Sequence, residues 1–554
     1  VRNIILGSEF VMSHITHFYH LAALDYVQGP PMSPWKPYFA SAFYTTPFSN
    51  VPLQSGSIYA REIVNDYVIA LHARRKVYQI GALMGGRTPH TMMFAAGGLP
   101  VSDRPTSTDV DTALGILYGS GNEPANSNAV SASLWAAVGA TSADHNDSIV
   151  HFVFRHYVPM VEAVAYLYGG YGTASAASDT GSAYGNFNSF GVFPGSNDGN
   201  KKLQARGYII NSVGGLTTVY NHYAPPGKKI NVYEFITHSW YNPTGSQYYN
   251  IHDGYTLPSA QAADWSGKYT FAKSPRIGHG TGASGTPTSS QLYPMEVGPL
   301  ARMVVTSAFY AQYMGQAGTS AAVSAALFIP STLDPTQASN WQNGSWSEFF
   351  AAYPGETKST HIMCRGLAGI TSALAAFWNT NKPATFTVGN GSFIDRHFAR
   401  ALEAGKVTIA LGYWLLDLKN SYINSTAFDT SFDPTPSSGQ GTGMNEAPRG
   451  TVSHYSTYSN GKISNYQIIA PTTWNIGPGR NNTPDTSGGI AEKAVQGVSI
   501  TLTLSNDLND NATVKVPVEA VRVLHSFDFC IACTVHLLEK EDREETFEKG
   551  GRER

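Results

Sequence analysis

The chain has 554 residues, 42% of them hydrophobic and 12% aromatic, which is ample material for a large buried core. Its formal net charge is only -3 and charged residues make up 14%, so no basic surface points to nucleic acid or anionic lipid. Three cysteines are too few for a disulfide framework, and no apolar run reaches the roughly eighteen residues of a membrane span. Polarity rests on Ser, Thr, Asn, Tyr and 54 glycines. Such a surface depends little on carboxylate ionisation and suits an acidic or extracytoplasmic medium, although plain compositional drift gives the same pattern.

The chain opens Val1-Arg2-Asn3, with no Met and no basic-apolar leader, as expected of a fragment, a processed form or one half of a split gene. His14, His17 and His20 follow at the i, i+3 spacing of one helix face and imitate a metal triad. Apolar periodicity predicts helices from Glu62 to Leu83, stopping at Gly85-Gly86, and from Ile149 to Tyr168, with a kink at Pro159. It predicts two more from Leu300 to Met314, with Pro299 at the first turn, and from His361 to Trp378. Between them, residues 173–200, 278–291, 331–356 and 429–443 are rich in Gly, Ser, Thr and Asn and read as surface insertions. Strict alternation over 498–504 and 512–516 around a polar turn predicts a β-hairpin. The fold class expected is mainly α with small β-hairpins (α+β), a helical core with surface insertions.

Near the end stands Cys530-Ile-Ala-Cys533-Thr-Val-His536, holding two of the three cysteines. Thiols at this spacing ligate a metal through both sulfurs or close a redox disulfide, and the pair alone does not choose. Cys364 is isolated, so the chain cannot complete a four-thiolate zinc site unaided. A plain zinc or redox module remains an alternative. The tail from Leu537 to Arg554, dense in Glu, Lys, Asp and Arg, reads as a solvated helix or a disordered segment.

Five further segments accompany the thiols in order: Ser13 to Leu21, Gly85 to His90, Glu296 to Arg302, Ala447 to Gly450, and Pro471 to Asn475. Together with the cysteine motif they resemble the large subunit of the nickel-iron hydrogenases, most closely the uptake type. The resemblance runs over residues 1–536 as one catalytic domain. It implies a nickel-iron centre with carbon monoxide and cyanide on the iron, a structural magnesium or similar ion, and an iron-sulfur small subunit as electron-transfer partner.

By that resemblance Cys530 is a terminal nickel ligand and a base for the proton released when H2 is split, Cys533 bridges to iron, and His536 binds the structural ion. Nickel is borderline-soft and suits thiolates. Arg449 stands over the open face of the metals, Pro448 and Thr472 line the pocket for the iron's small ligands, and Asp528 lies near Arg449. His14, His17 and His20, with Arg87 and His90, belong to the partner-facing wall or the proton network. Glu296 and Arg302 are expected to form a buried ion pair that fixes a helix start.

The resemblance also implies removal of residues 537–554 after His536 once nickel is in place, and export with the small subunit to the extracytoplasmic face of the membrane. The family's first thiol pair is absent from this sequence, which points to truncation or to a separate N-terminal polypeptide. Ser13 stands where the family usually has Asp, and Phe529 where it usually has Pro. These departures keep open a hydrogenase-derived H2 sensor or an inactive scaffold as the alternative function.

Overall fold

The computed structural model describes residues 1–26, 53–94, 98–99, 105–119, 148–158, 160–161, 164, 181–194, 202–222, 230–241, 248–253, 268, 270–280, 287–313, 391–420, 438–479, 488–496, 498, 503–506, 513–516 and 518–530. The expected helix over 361–378, the insertion over 331–356, Cys364, Pro159, Cys533, His536 and the tail lie outside these residues.

Helix α1 (Arg2–His20) is apolar on nearly every side, with Ile4, Ile5, Phe10, Val11, Ile15 and Phe18 all buried, because it runs between two other helices. On one side is α2 (Leu53–Gly85), which starts well before Glu62 but stops at the expected Gly85-Gly86. There the backbone turns through a left-handed Gly86. Helix α3 (Ser107–Tyr118) is opened by a Thr106–Asp109 capping box. Helix α4 (Ile149–Phe152) widens into a π turn over Val153–Tyr157, in the turn before Pro159 where the kink was expected.

Helix α5 (Pro299–Tyr313) forms where periodicity places it. Helix α6 (Phe393–Asn420), on the other side of α1, was not expected. Its buried face carries Arg396, His397, Arg400, Glu403 and Lys406, charges that interrupt the apolar pattern a sequence reading looks for. The short helices α7 (Pro471–Ile476), α8 (Ile490–Val495) and α9 (Val518–Ser526) surround the approach to Cys530.

Strands are more extensive than hairpins alone. β1 (Phe187–Pro194) and β2 (Lys202–Ile209) pair antiparallel from Phe187↔Ile209 to Pro194↔Lys202. Phe187, Phe190 and Val192 are buried, so this part of the 173–200 stretch is core and not a surface insertion. β3 (Val232–Phe235), β4 (Tyr248–Asn250), β5 (Ser274–Gly278) and β6 (Leu292–Tyr293) form a sheet in the order β4-β3-β5-β6.

β7 (Ser438–Ala447), β8 (Gly450–Ser459) and β9 (Lys462–Ile469) form a meander. The glycine-rich, mostly exposed start of β7 corrects the insertion reading for 438–443: an unbroken ladder to β8 holds it as strand. The expected late hairpin is present, shorter, as β10 (Thr503–Asn506) and β11 (Thr513–Val516).

Three apolar clusters result. The largest joins α1, α2, α3, α5, α6 and the β1–β2 pair. A second lies under the sheets and includes Phe190, Val232, Val297, Ile469 and Trp474. A third gathers Ala183, Ile490, Ala494, Val523 and Phe527. Trp474 of the second and Phe527 of the third are near neighbours in sequence of Thr472 and Asp528, so the candidate site lies where these clusters adjoin. Among the described residues no helix is long and apolar enough to cross a membrane.

Candidate metal centre

The segment Ser526–Cys530 leaves α9 and is held from below by two arginines of α6. Arg400 donates from Nη2 to the Ser526 carbonyl at 3.0 Å, and Arg396 donates from Nη1 to Ser526 Oγ at 3.3 Å. The Arg396 guanidinium also lies 3.7 Å from the centre of the Phe527 ring. Phe529 stacks on Phe527 at 5.3 Å, giving this position a packing role in place of the proline expected there.

Asp528 adopts a left-handed backbone, φ +60°, which an aspartate tolerates better than most residues. Its Oδ1 accepts from Arg449 Nε at 3.0 Å, while Oδ2 is buried with no hydrogen-bond partner among the described residues. Asp528 is buried and the Arg449 side chain is 41% exposed, so the pair spans from interior to opening. Two residues on, the Cys530 N–H donates to Thr472 Oγ1 at 3.0 Å. The structure therefore brings Arg449, Asp528, Thr472 and Cys530 together. The Cys530 sulfur is disulfide-bonded here, and both other cysteines lie outside the described residues.

Arg449 sits in the β7–β8 turn, which is pressed against the chain entering α5. A Cβ on Gly450, at φ +139°, would meet Val297 Cγ2 at 2.6 Å, and one on Gly298 would meet the Arg449 carbonyl at 3.2 Å. Asn475 of α7 locks the same chain from the far side, donating to Val297 O at 2.9 Å and accepting from Val297 N at 3.0 Å. Close approach at two glycines and one bidentate amide thus defines where the arginine stands.

The expected Glu296–Arg302 ion pair is not formed. Glu296 pairs with Arg396, Nε to Oε1 at 2.7 Å and Nη2 to Oε2 at 3.1 Å. Arg302 pairs instead with Glu403 of α6 and Glu446 of β7, at 2.6 and 2.8 Å. The reason is that Glu403 and Glu446 come from elements 101 and 144 residues away, whose convergence spacing along the chain does not reveal. Burial alone would raise Glu403, but the Arg302 charge and hydrogen bonds overcome it and hold the carboxyl at about 2. For Glu446 burial prevails over Arg302, pushing it up to about 7.

The histidines do not form a metal triad. His14 shares a proton with Glu403, Nε2 to Oε2 2.8 Å; His17 donates from Nε2 to the His525 carbonyl at 2.6 Å; His20 donates to Tyr67 O at 3.1 Å. His17 also stacks on His397 at 5.5 Å. Burial first, then neighbouring charge including Arg400, holds both His17 and His397 well below the ordinary histidine value, so they are neutral. His525 in turn bonds Asp25, Nδ1 to Oδ2 2.7 Å. His14 and His17 lie inside the chain, whereas Arg87 and His90 are exposed. Among the described residues no group of three His, Cys, Asp or Glu side chains is arranged to hold a metal.

Sequence reasoning passed over Glu403, Glu446, Arg396, Arg400 and His397. The signal for three of them was present: Arg396, Arg400 and Glu403 recur, with Lys406, at helical spacing among apolar neighbours, the signature of a buried charged stripe.

A family-level match to nickel-dependent hydrogenases covers residues 36–333 and 365–536. The chain is 28% identical to the periplasmic NiFeSe hydrogenase large subunit of Desulfomicrobium baculatum, over 98% of this chain and 79% of that protein. It is 26% identical to the uptake hydrogenase large subunit of Rhizobium leguminosarum bv. viciae, over 98% of this chain and 81% of that protein. Its fold is similar to the crystal structure of the D. baculatum NiFeSe hydrogenase, with a TM-score of 0.60 at 26% identity, covering 97% of this chain and 81% of that one. Matched along most of its length, the chain belongs to the nickel-dependent hydrogenase family as a large subunit, and is an oxidoreductase acting on H2.

Proposed function

We propose that this chain is the catalytic subunit of an uptake hydrogenase, oxidising H2 at a nickel-iron centre and passing electrons to an iron-sulfur small subunit. The observation that carries the reading is the Arg449–Asp528 ion pair beside Cys530, with Thr472 bonded to the Cys530 backbone. The residues fit the metals: a soft sulfur donor stands next to a buried, unpaired carboxylate oxygen and a partly exposed fixed cation. Cys530 and Cys533 would hold nickel and iron, with further thiolates supplied by a separate N-terminal polypeptide or by chain preceding Val1. His536 would hold a structural magnesium or similar ion.

When bound, such a centre supplies the Lewis acidity that lets H2 be cleaved heterolytically. The chain's own groups do the rest. The Cys530 sulfur, once reduced to the thiolate, would accept the proton; Asp528 holds Arg449 in place through Nε, and the remaining N–H groups of the guanidinium would donate to the small anionic ligands of the iron. Pro448 and Thr472 wall the same pocket.

The relative named as a periplasmic enzyme supports placing H2 oxidation on the extracytoplasmic face; reaching the membrane through the small subunit is part of the same proposal. The family match over residues 36–333 and 365–536 supports a catalytic domain that ends at His536, and removal of 537–554 is proposed with it. The test is assembly with a small subunit and a source of the second thiol pair. Equimolar nickel and iron and H2-dependent dye reduction, both lost in Cys530→Ser, are expected. A metal-loaded heterodimer that does not turn over would favour the sensor or scaffold reading, and zinc in place of nickel would end the proposal.

A further inference from the structure

We propose that Arg302 is a positioning residue for the reaction, holding Arg449 in place through the backbone of the β7–β8 turn. The inference rests on Arg449 acting at the metal centre. A guanidinium has five N–H donors in a rigid fork, and here every one is used. Nε donates to Glu403 Oε1 at 2.7 Å; Nη2 donates to Glu403 Oε2 at 2.6 Å and to the Pro448 carbonyl at 2.8 Å; Nη1 donates to Glu446 Oε2 at 2.8 Å and to the Ala447 carbonyl at 3.0 Å. The two carbonyls belong to the residues immediately before Arg449.

The seat of this guanidinium is equally determined. Phe10 of α1 lies under it, 4.8 Å from ring centre to Cζ. Glu403 is held by Gln204 at 3.0 Å and by His14, and Glu446 accepts from the Phe190 N–H at 2.7 Å. Five elements, α1, α6, β1, β2 and β7, therefore fix one buried cation, and that cation fixes two consecutive carbonyls. Among the described residues the Arg449 side chain has one anchor, the Nε bond to Asp528. Its backbone is placed from the other side, by the close packing at Gly298 and Gly450 on the chain that Asn475 holds and by Arg302, which grips the two carbonyls before Arg449. A lysine keeps the charge but cannot reach both carboxylates and both carbonyls together.

Arg302→Lys and Arg449→Lys in the assembled, metal-loaded heterodimer test this. Arg302→Lys is expected to keep its nickel and iron, to lower kcat about tenfold to a hundredfold with KM for H2 unchanged, and to shift the infrared cyanide bands in the same direction as Arg449→Lys. Should Arg302→Lys not assemble, Phe10→Leu loosens the guanidinium without unpairing any charge. It is expected to lower kcat about two- to fivefold, the scale of a lost cation–π contact, with the same direction of band shift.

Wild-type kcat and bands in the assembled Arg302→Lys, or in Phe10→Leu where it stands in, while Arg449→Lys loses both, would overturn the positioning role and leave the Arg449 reading intact. Wild-type kcat and bands in Arg449→Lys itself would overturn that reading instead.

Discussion

Glu403 and Glu446 face the same buried guanidinium yet are driven in opposite directions. Glu403 is held at about 2, below its ordinary 4.5, so its contribution to stability is present above pH 4.5 and lost as pH falls through about 2. Glu446 is held at about 7, so the fold keeps a proton that the unfolded chain releases; its contribution is present below pH 4.5 and lost as pH rises through about 7. Thermal midpoints followed from pH 2 to 8 are expected to show Glu403→Gln with a flatter acid limb and Glu446→Gln with a flatter limb between pH 4.5 and 7. Parallel limbs in wild type and both variants would refute this assignment.

At the same scale, Asp528→Asn preserves shape but removes the charge facing Arg449. About a tenfold loss of kcat with metals retained is expected, and unchanged turnover would remove the pair from the mechanism. The residues Arg449, Asp528, Thr472 and Cys530 were legible in the sequence because each sits in a short motif. The role of Glu403 was not, since its partners Arg302 and His14 lie far away in the chain, although its helical spacing with Arg396 and Arg400 marks a charged stripe.

Helix α6 organises the elements. It lies against α1 where Gly7 brings the backbone close, a Cβ there meeting Trp414 at 3.0 Å. It lies against α3 where Gly412 faces the Tyr118 hydroxyl. Gly412→Ala has no room and is expected to destabilise by about 1–3 kcal/mol in chemical denaturation; an unchanged midpoint would mean the two helices separate freely. Gly450→Ala places a methyl group against Val297 from a backbone conformation that disfavours it. About 1–3 kcal/mol of destabilisation is expected, together with a loss of H2 oxidation larger than that of Gly412→Ala, because the displaced turn carries Arg449.

Helices α2 and α5 could be read from the sequence, because among the described residues a single buried charge, Asp66 in the one and Arg302 in the other, interrupts an otherwise largely apolar stripe. Helix α6 and strand β7 could not. The charges of α6 are compensated only by tertiary partners, and the glycines of β7 become strand only through the ladder to β8.

For the whole molecule, the expectation concerns maturation. The metal-loaded chain should have lost residues 537–554, read by intact mass, whereas the chain made without nickel should retain them. An active, metal-loaded chain still carrying Leu537 to Arg554 would defeat it.

From its sequence alone this protein's family and the residue types of its chemistry were determined, because thiols at fixed spacing and an ordered set of short motifs are local features that survive any change in the surrounding loops. Only the tertiary structure decided which charges meet. Arg302 could have paired with Glu296, its neighbour in the same motif, but a guanidinium buried away from water takes the partners that satisfy all five donors. Those partners lie on helix α6, on strand β7 and in the turn after it, and folding alone brings them together.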